Sequence, residues 1–267
     1  MARKTVIVYV GCGGVFWHGL TRMVQFLERR GAYESVVILV DDDDVEESNL
    51  ARQYSGRMVG RLKVGAAADV LATMSLAEVH PIKMRVEKKN DLELVVDQVL
   101  QKDEDPGRLV VVHAPDNHLC RKVVHDGCKK LALRWDGVEV IEVVGGNDED
   151  TGYGYVCRMI ADEDRILELD GDYEIRHPEI AEEAKLERKA LADPESCNRM
   201  APEQSVESNG LTAWCMWTAA EAAAVAKMVG EVYWYVDSTY AEHGVDDGVI
   251  KVVKKLTSLD EEVDDEK

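Results

Sequence analysis

Two apolar runs flank a glycine-rich turn near the start of the chain, and this arrangement constrains the fold more than any other feature of the sequence. The run TVIVYV at residues 5–10 ends at Gly-Cys-Gly-Gly, residues 11–14. Apolar residues then recur at helical spacing from Phe16 to Arg30, and a second apolar run extends from Val36 to Val40. This order of strand, turn, helix and strand has the length of a βαβ nucleotide-binding half, so we predict an α/β, Rossmann-like fold.

The glycines of the turn, Gly11, Gly13 and Gly14, are candidate nucleotide-binding residues. Glycine lets backbone N–H groups approach a phosphate at a helix N-terminus, where the helix dipole favours negative charge. Many strand-to-helix turns use glycine for steric reasons alone, so the turn by itself leaves both interpretations open.

Four consecutive aspartates, Asp41 to Asp44, directly follow the second apolar run. They occupy the place where acidic side chains bind the ribose hydroxyls of a dinucleotide or of ATP. Arg52 and Lys63 are the nearby cations that could neutralise a triphosphate. Alternatively, these two cations form salt bridges with the aspartates at 42 and 44 or with Glu46.

Strands and helices alternate up to about residue 160, which predicts a mostly parallel central sheet flanked by helices. Asp116 and Asn117 follow the fourth strand, at the edge of the sheet where ligands bind in open α/β folds. Asp116 could also cap the helix that follows it. The predicted elements are a helix at 63–74, a strand at 79–86, a helix at 91–101, a strand at 109–113, a helix at 118–132 and strands at 138–144 and 152–160.

The second half of the sequence has a weaker pattern. The charged segment 162–194 is predicted as a crossover in which the sheet pattern stops, and 210–229 as an alanine-rich helix that is internal or at a dimer interface. Antiparallel edge strands are predicted at 233–236 and 249–253. No internal repeat or long linker divides the chain, so we predict a single domain over residues 1–267. Its parts are a nucleotide-binding core at about 5–160, a crossover at 161–204, a C-terminal helix and strands at 205–258 and an acidic tail at 259–267.

Acidic residues outnumber basic ones, 52 to 32, which gives a formal net charge of −20. A field of this sign repels polyanions, so binding to nucleic acid or to anionic membranes is disfavoured. No apolar stretch has the roughly 20 residues of a membrane helix, and the first residues do not resemble a signal peptide, so we expect a cytoplasmic protein. The six cysteines include no Cys-x-x-Cys pair, so neither a disulfide framework nor a zinc site is expected. His118, His125 and Cys128 share a predicted helix but lack a fourth ligand, which argues against a metal site.

Taken in order, these residues resemble the ThiF/MoeB superfamily, the adenylating enzymes related to ubiquitin-activating enzymes. The resemblance runs from about Thr5 to Val156, and the segment from Thr218 to Lys227 is similar to the family's late helix. Each piece alone is weak, whereas the ordered set is specific. The positions that carry the resemblance are Gly11 to Gly14, Asp41, Asp43, Asn49, Arg52, Gln53, Val59, Gly60, Lys63, Asp116, Asn117 and Arg121.

The resemblance implies ATP- and Mg²⁺-dependent adenylation of the C-terminal carboxylate of a small ubiquitin-like or sulfur-carrier protein that ends in Gly-Gly. It places Asp41 at the ribose, Asp116 at Mg²⁺, and Asp43 behind the ribose site or on the metal side. Together with the apolar late helix, it favours a homodimer. The remaining residues that it places at the nucleotide are Gly11, Gly13, Gly14, Asn49, Arg52, Gln53, Lys63 and Asn117, with Asn49, Arg52 and Lys63 at the phosphates.

In this reaction a carboxylate oxygen attacks the α-phosphorus of ATP, and pyrophosphate leaves. Catalysis is then mostly in-line positioning and charge neutralisation, which the resemblance assigns to Arg52, Lys63 and the metal at Asp116. No general base is needed, because the carboxylate is already ionised. Cys197 is either an acceptor thiol for the acyl group, activated by Arg199, or an inert thiol, and both interpretations stay open.

The sequence departs from the family pattern in three ways. Phe16 stands in place of the usual third glycine, where it would change the packing of the first helix or crowd the nucleotide. The zinc-binding Cys-x-x-Cys pairs of many relatives are missing, and we do not expect the N-terminal helix that in some relatives supplies an arginine to the neighbouring subunit.

These departures keep three alternatives open. One is a non-catalytic adaptor or dimerisation protein with the family fold, and another is a relative that activates a small molecule or a tRNA base. The third is an NAD-dependent oxidoreductase. Arg52 and Lys63 argue against the oxidoreductase, and the net charge of −20 argues weakly against a tRNA substrate.

Overall fold

The computed structural model describes residues 4–50, 56–100, 106–115, 118–135, 137–147, 151–162, 165–169, 178, 206–237 and 249–258. Most of the predicted crossover and the whole acidic tail therefore lie outside the described residues. Nine strands are found within the described residues: β1 (Thr5–Val10), β2 (Ser35–Val40), β3 (Glu78–Ile82), β4 (Arg108–His113), β5 (Glu139–Asn147), β6 (Thr151–Asp162), β7 (Arg165–Leu169), β8 (Met228–Asp237) and β9 (Val249–Ser258).

The strands form one sheet in the order β3-β2-β1-β4-β5-β6-β8-β9, and β7 pairs with the far end of β6. Short 3-10 turns occupy Ala32–Glu34, Glu47–Asn49 and Gly56–Met58. No helix in the described part of the chain is long and apolar enough to cross a membrane. The helices within the described ranges are α1 (Gly14–Glu28), α2 (Lys63–Met74), α3 (Asp91–Asp97), α4 (His118–Arg134) and α5 (Val206–Ala226).

The half of the sheet from β3 to β5 is parallel. β1 lies between β2 and β4, with Val10 paired to Val40 on one side and to His113 on the other. These three strands therefore end side by side at one edge of the sheet. Their residues are mainly Val, Ile and Leu, as expected of parallel strands that are covered on both faces.

Helices cover both faces of the sheet. α1, α2 and α5 pack on one face in a core that includes Phe16, Leu71 and Trp217. α3 and α4 pack on the other face in a second core that includes Leu92 and Leu131. Together with the antiparallel strands that follow β5, this arrangement confirms the predicted α/β, Rossmann-like fold class.

α5 packs directly on the antiparallel half of the sheet at Gly154, in β6. A Cβ atom at this position would lie 2.2 Å from the backbone nitrogen of Met216. Only glycine permits so close an approach of a helix backbone to a strand. α5 is therefore internal, which was one of the two positions predicted for this helix. Its residues Ala213, Met216 and Trp217 are buried.

Three predictions about the second half were wrong. The sheet pattern does not stop after β6, because β7 follows inside the predicted crossover and pairs antiparallel with β6. Its five residues are too few to stand out among charged neighbours. β8 is not an edge strand, since it lies between β6 and β9. Val229 belongs to β8 and not to the helix, because Lys227 has a φ of +51°, which ends α5 before the apolar run does.

Two boundaries in the first half differ from the prediction by four residues. β3 ends at Ile82, four residues before the predicted end, and α3 ends at Asp97. By contrast, β1 and α2 have the predicted bounds.

Candidate functional site

The carboxyl ends of β1, β2 and β4 bring the glycine turn, the aspartate run and the segment after His113 to one edge of the sheet. Gly11, the first residue of the turn, donates its backbone N–H to the carbonyl oxygen of Val40 at 2.8 Å. Its φ of +90° lies in the left-handed region, which glycine adopts without steric cost. The turn then leads into α1 at Gly14. The glycine turn, the aspartate run and the segment after His113 therefore lie at one edge of the sheet, as predicted.

Two glycines of the turn face open space. Among the described residues, a Cβ atom on Gly11 or Gly13 would meet no heavy atom within 4 Å. Gly14 differs, because a Cβ atom there would lie 2.4 Å from Nδ2 of Asn209 in α5. Within the same described residues, no side chain caps the N-terminus of α1 and no acidic residue lies in its first turn. The turn therefore has room for an anion from outside the fold, at a helix N-terminus that no described side chain caps.

Asp41 ties the glycine turn to the end of β2. Its Oδ2 accepts a hydrogen bond from the backbone N–H of Cys12 at 2.7 Å, and its Oδ1 accepts one from the N–H of Asp43 at 2.9 Å. Burial raises the pKa of Asp41, while these two N–H donors and the Lys63 ammonium act in the opposite direction. Each carboxylate oxygen can accept a further hydrogen bond, so the predicted role of Asp41 at a ribose stays compatible with its contacts.

Lys63, the first residue of α2, holds its ammonium 2.8 Å from Oδ2 of Asp43. The backbone N–H of Lys63 also donates to the carbonyl oxygen of Asp43, at 2.9 Å. The sequence offered Asp42, Asp44 and Glu46 as ion-pair partners, and the structure shows Asp43 instead. The Asp43 side chain is 62% exposed and that of Lys63 is 13% exposed, so solvent weakens the pair from the Asp43 side and another anion could replace Asp43.

Asn49 lies in the 3-10 turn that follows the aspartates, and its side chain takes part in a capping arrangement. Its Oδ1 accepts a hydrogen bond from the backbone N–H of Glu46 at 2.9 Å, while the Glu46 side chain accepts from the Asn49 N–H. The amide group of Asn49 is consequently held in a fixed orientation, with its oxygen already used.

Five predicted site residues, Arg52, Gln53, Asp116, Asn117 and Cys197, lie outside the described residues. Their assignments stay predictions from the sequence. The structure does describe the residue immediately before Asp116, whose carbonyl oxygen accepts a hydrogen bond from the Arg121 guanidinium at 3.0 Å.

Phe16 does not line the turn. It is 1% exposed, and its ring contacts that of Tyr9 edge-on, with 4.9 Å between the centroids. An aromatic residue at this position was predicted either to change the packing of the first helix or to crowd the nucleotide. The structure shows Phe16 packed into the core.

Two clusters of polar residues near the turn were not predicted. In the first, Nδ2 of Asn147 donates to Oγ of Ser208 at 3.0 Å and to Oδ1 of Asn209 at 3.2 Å. In the second, Glu142 is buried between two histidines. The sequence feature that could have indicated the second cluster is Glu142, an acidic residue between Ile141 and Val143 in a predicted buried strand.

A sequence model of the ThiF family matches residues 2–163 of the chain. This chain belongs to the ThiF family. The matched residues include the glycine turn, the aspartate run and the parallel half of the sheet, so the family predicted from the ordered motifs is confirmed.

Among curated proteins, this ThiF-family chain is similar to the SAMP-activating enzyme E1 of Haloferax volcanii. The two are 36% identical over 138 residues, which make up 51% of this chain and 43% of that enzyme. The chain thus spans less than half of the length of this relative.

Solved structures of ThiF-fold proteins match nearly the whole chain. E. coli MccB with AMPCPP and MccA has a TM-score of 0.56 at 19% identity, over 95% of this chain and 64% of MccB. PaaA has a TM-score of 0.54 at 16% identity, over 95% of this chain and 64% of PaaA. At these identities the similarity establishes the fold.

Proposed function

We propose that the chain uses ATP and Mg²⁺ to adenylate the C-terminal carboxylate of a small ubiquitin-like or sulfur-carrier protein that ends in Gly-Gly. Membership of the ThiF family and similarity to an enzyme named for activating SAMP support this proposal. So does the open glycine turn beside Asp41. The proposal includes a single domain over residues 1–267 that acts as a homodimer in the cytoplasm.

The observation that carries the proposal is the position of Lys63. Its ammonium contacts Asp43, whose backbone N–H is bonded to the same Asp41 carboxylate that holds the glycine turn. A redox dinucleotide has no pyrophosphate leaving group and needs little positive charge here, whereas adenylation requires cations at the departing phosphates. Asp43 is the exposed member of this pair, so a phosphate oxygen can take its place beside the largely buried Lys63.

The proposed reaction needs binding and orientation from the protein, and no proton transfer. Backbone N–H groups of the turn, Lys63, Arg52 and Asn49 hold the phosphates, and Asp41 holds the ribose. A carboxylate oxygen of the carrier attacks the α-phosphorus in line, the bond from that phosphorus to the bridging oxygen breaks, and pyrophosphate leaves with the electron pair. Gln53 and Asn117 complete the proposed nucleotide site. Fixed donors at the departing oxygens stabilise the charge that develops there.

The residues at this edge of the sheet also fit a hard divalent cation. Carboxylate oxygens of Asp41, Asp42 and Asp43 lie within 4.8 Å of one another, and Mg²⁺ prefers oxygen ligands. When bound, Mg²⁺ neutralises charge on the phosphates. Asp116 is the proposed protein ligand of Mg²⁺. The aspartates at 41–43 offer further carboxylate oxygens.

Cys197 is the proposed acceptor for any further transfer of the acyl group. Its thiolate would attack the acyl carbon of the adenylate, a thioester would form and AMP would leave with the electron pair. A Cys197→Ala variant would then keep pyrophosphate exchange and lose thioester formation, which gel analysis without reducing agent measures.

Exchange of labelled pyrophosphate into ATP tests the proposal. Exchange that depends on a small protein ending in Gly-Gly is the expected result. Lys63→Met is expected to reduce it about a hundredfold, as removal of one charge-stabilising donor does in other enzymes. Arg61→Met is the matched control, because Arg61 lies two residues away and pairs with Asp69 on the surface.

Two other outcomes would replace the proposal. Binding of ATP without exchange, across several candidate carriers, would favour the non-catalytic adaptor. Tight binding of NAD with no binding of ATP, measured by calorimetry, would favour the oxidoreductase.

A further inference from the structure

Three ionisable side chains from α4 and two neighbouring strands are buried together, outside the proposed nucleotide site. They are His113 at the end of β4, Glu142 in the middle of β5 and His125 in α4, and the solvent reaches none of them. Nε2 of His113 lies 2.8 Å from Oε1 of Glu142, and Nδ1 of His125 lies 2.6 Å from Oε2. We call this set the His-Glu-His cluster.

The contacts determine which atoms carry protons. Burial raises the pKa of Glu142, but the charge of His125 and the hydrogen bonds from both histidines outweigh it and bring the pKa to about 2. An ionised carboxylate only accepts hydrogen bonds, so His113 donates through Nε2 and His125 through Nδ1. Burial lowers the pKa of His113, so this imidazole is neutral and its Nδ1 carries no proton. Nδ1 of His113 has no hydrogen-bond partner among the described residues.

Stability alone does not account for such a cluster. Removing a carboxylate and two imidazoles from water is costly, and apolar residues of similar volume often serve a core as well or better. The two directional hydrogen bonds of the Glu142 carboxylate do, however, favour one arrangement of the elements that they join, whereas apolar side chains permit several. The cluster joins three elements: β4, β5 and α4.

The position of His113 connects the cluster to the candidate site. His113 pairs in register with Val10 of β1, the residue directly before Gly11. One helical turn before His125, Arg121 donates to the carbonyl oxygen of Pro115 at 3.0 Å and to the hydroxyl of Tyr153 at 3.3 Å. The end of β4 is thus held from both sides, by its neighbour in the sheet and by α4.

We propose that His113, Glu142 and His125 form a positioning unit that fixes the carboxyl end of β4 relative to the glycine turn and thereby sets the affinity for nucleotide. The inference rests on the proposed function. The three side chains act through the backbone from His113 to Pro115, so they are positioning residues and make no contact with substrate.

A set of three variants tests the proposal. Glu142→Leu removes the acceptor of both histidines. Glu142→Gln keeps the shape of the side chain and one acceptor oxygen, and a neutral histidine, unlike a backbone N–H, can change tautomer and accept from the amide NH₂. Val140→Ala is the matched control, because Val140 is buried in the same strand and the same core, two residues from Glu142, and belongs to no polar cluster. For each variant, calorimetry measures the dissociation constant for Mg-ATP and urea unfolding measures stability.

Glu142→Leu is expected to raise the dissociation constant about tenfold, since a displacement of about 1 Å in a site can cost up to about a hundredfold. Glu142→Gln is expected to restore the native value to within about threefold, and Val140→Ala to leave it unchanged. A native dissociation constant in folded Glu142→Leu would overturn the proposal, as would an equal rise in Val140→Ala. If Glu142→Leu does not fold, His125→Leu takes its place. It removes the bond between α4 and Glu142 and retains the bond between His113 and Glu142. The expected rise in the dissociation constant for Mg-ATP is the same.

Hydrogen exchange separates this proposal from the proposed function. In Glu142→Leu the backbone amides of residues 9–14 and 111–114 are expected to exchange faster than in the native chain, and in Val140→Ala they are not. This readout needs no nucleotide. A native chain that binds no ATP would reject the proposed function, and the exchange pattern would still decide whether the cluster positions the end of β4.

Discussion

The side-chain amide of Asn209 lies against the backbone of Gly14, the residue at which the glycine turn becomes α1. A Cβ atom on Gly14 would be 2.4 Å from Nδ2 and 2.9 Å from Cγ of Asn209. The Asn209 side chain has little freedom to move aside, because it is 1% exposed and its Oδ1 accepts a hydrogen bond from Asn147. A residue beyond the family match thus limits the size of a residue in the turn.

Gly14→Ala is therefore expected to lower the free energy of unfolding by about 1–3 kcal/mol, the usual cost of forcing a methyl group into a packed core. Displacement of the turn should also weaken ATP binding. Urea unfolding and calorimetry measure the two effects.

The double variant Gly14→Ala/Asn209→Gly tests the cause of that loss. Removal of the Asn209 side chain leaves room for the new methyl group, so the double variant should bind ATP more tightly than Gly14→Ala alone. Gly13→Ala is the control for the loss of stability alone, since a methyl group there meets no heavy atom of the described residues within 4 Å. No recovery in the double variant would mean that Gly14 matters for a reason other than its contact with Asn209.

Asp41→Asn should weaken the turn although it preserves the shape of the side chain. Both carboxylate oxygens accept from backbone N–H groups, those of Cys12 and Asp43, and an amide has a single oxygen to offer. One N–H would face an NH₂ group, at a cost of about 1–3 kcal/mol. Urea unfolding checks the prediction, with Asp42→Asn as the neighbouring control, and equal stability of the two variants would contradict it.

Stability should fall as the pH falls below neutrality, in two ranges. Burial lowers the pKa of His113, which also faces His125, Arg121 and Glu142. The folded protein therefore favours the neutral form of His113, and stability is lost as the pH drops below 6.5, the ordinary pKa of histidine. The pKa of Glu142 is lowered to about 2, so its contribution is complete above its ordinary value of 4.5 and is lost as the pH falls toward 2.

Urea midpoints measured from pH 7.5 to pH 3 check this dependence. Glu142→Gln should flatten the lower range, because a glutamine does not titrate. Val140→Ala should shift all midpoints downward and keep the native shape of the curve. A native slope below pH 4.5 in Glu142→Gln would show that other carboxylates cause the loss.

Phe16→Ala should destabilise the protein without improving nucleotide binding. The ring is buried against Tyr9, and truncation of a buried phenylalanine costs about 3–5 kcal/mol. Phe26→Ala is a control from the same helix, equally buried and farther from the turn. Both variants should keep the native ATP dissociation constant under conditions in which they are folded. Tighter binding in Phe16→Ala would show that the ring crowds the nucleotide.

The parallel half of the fold was predictable because glycine and aspartate interrupt its β-branched runs. Val10 and Val40 are each followed by a residue that cannot continue a buried strand, and these boundaries also place the glycine turn and Asp41 at one edge. The partner of Lys63 was not predictable in the same way. The backbone bond between Lys63 and Asp43 selects one aspartate out of four, and it depends on how α2 begins.

The polar clusters were missed because their partners are far apart in sequence. Glu142 bonds to residues 17 and 29 positions before it, and Asn147 bonds to Asn209, 62 positions after it. Periodicity reports on neighbours within one helix or strand and contains no information about such pairs. β7 and the end of α5 were missed for a local reason, since a short strand and a single residue with positive φ leave little trace in composition.

α5 contributes Met216 and Trp217 to the same core as Ile7 and Phe16, although the family match ends at residue 163. A gene fragment that encodes the matched residues alone would therefore produce a sheet with one face partly bare. The boundary that sequence similarity draws is not a boundary at which the chain can be cut. Because α5 and the nucleotide-binding half share one core, substitutions that accumulate in either must remain compatible with the packing of the other.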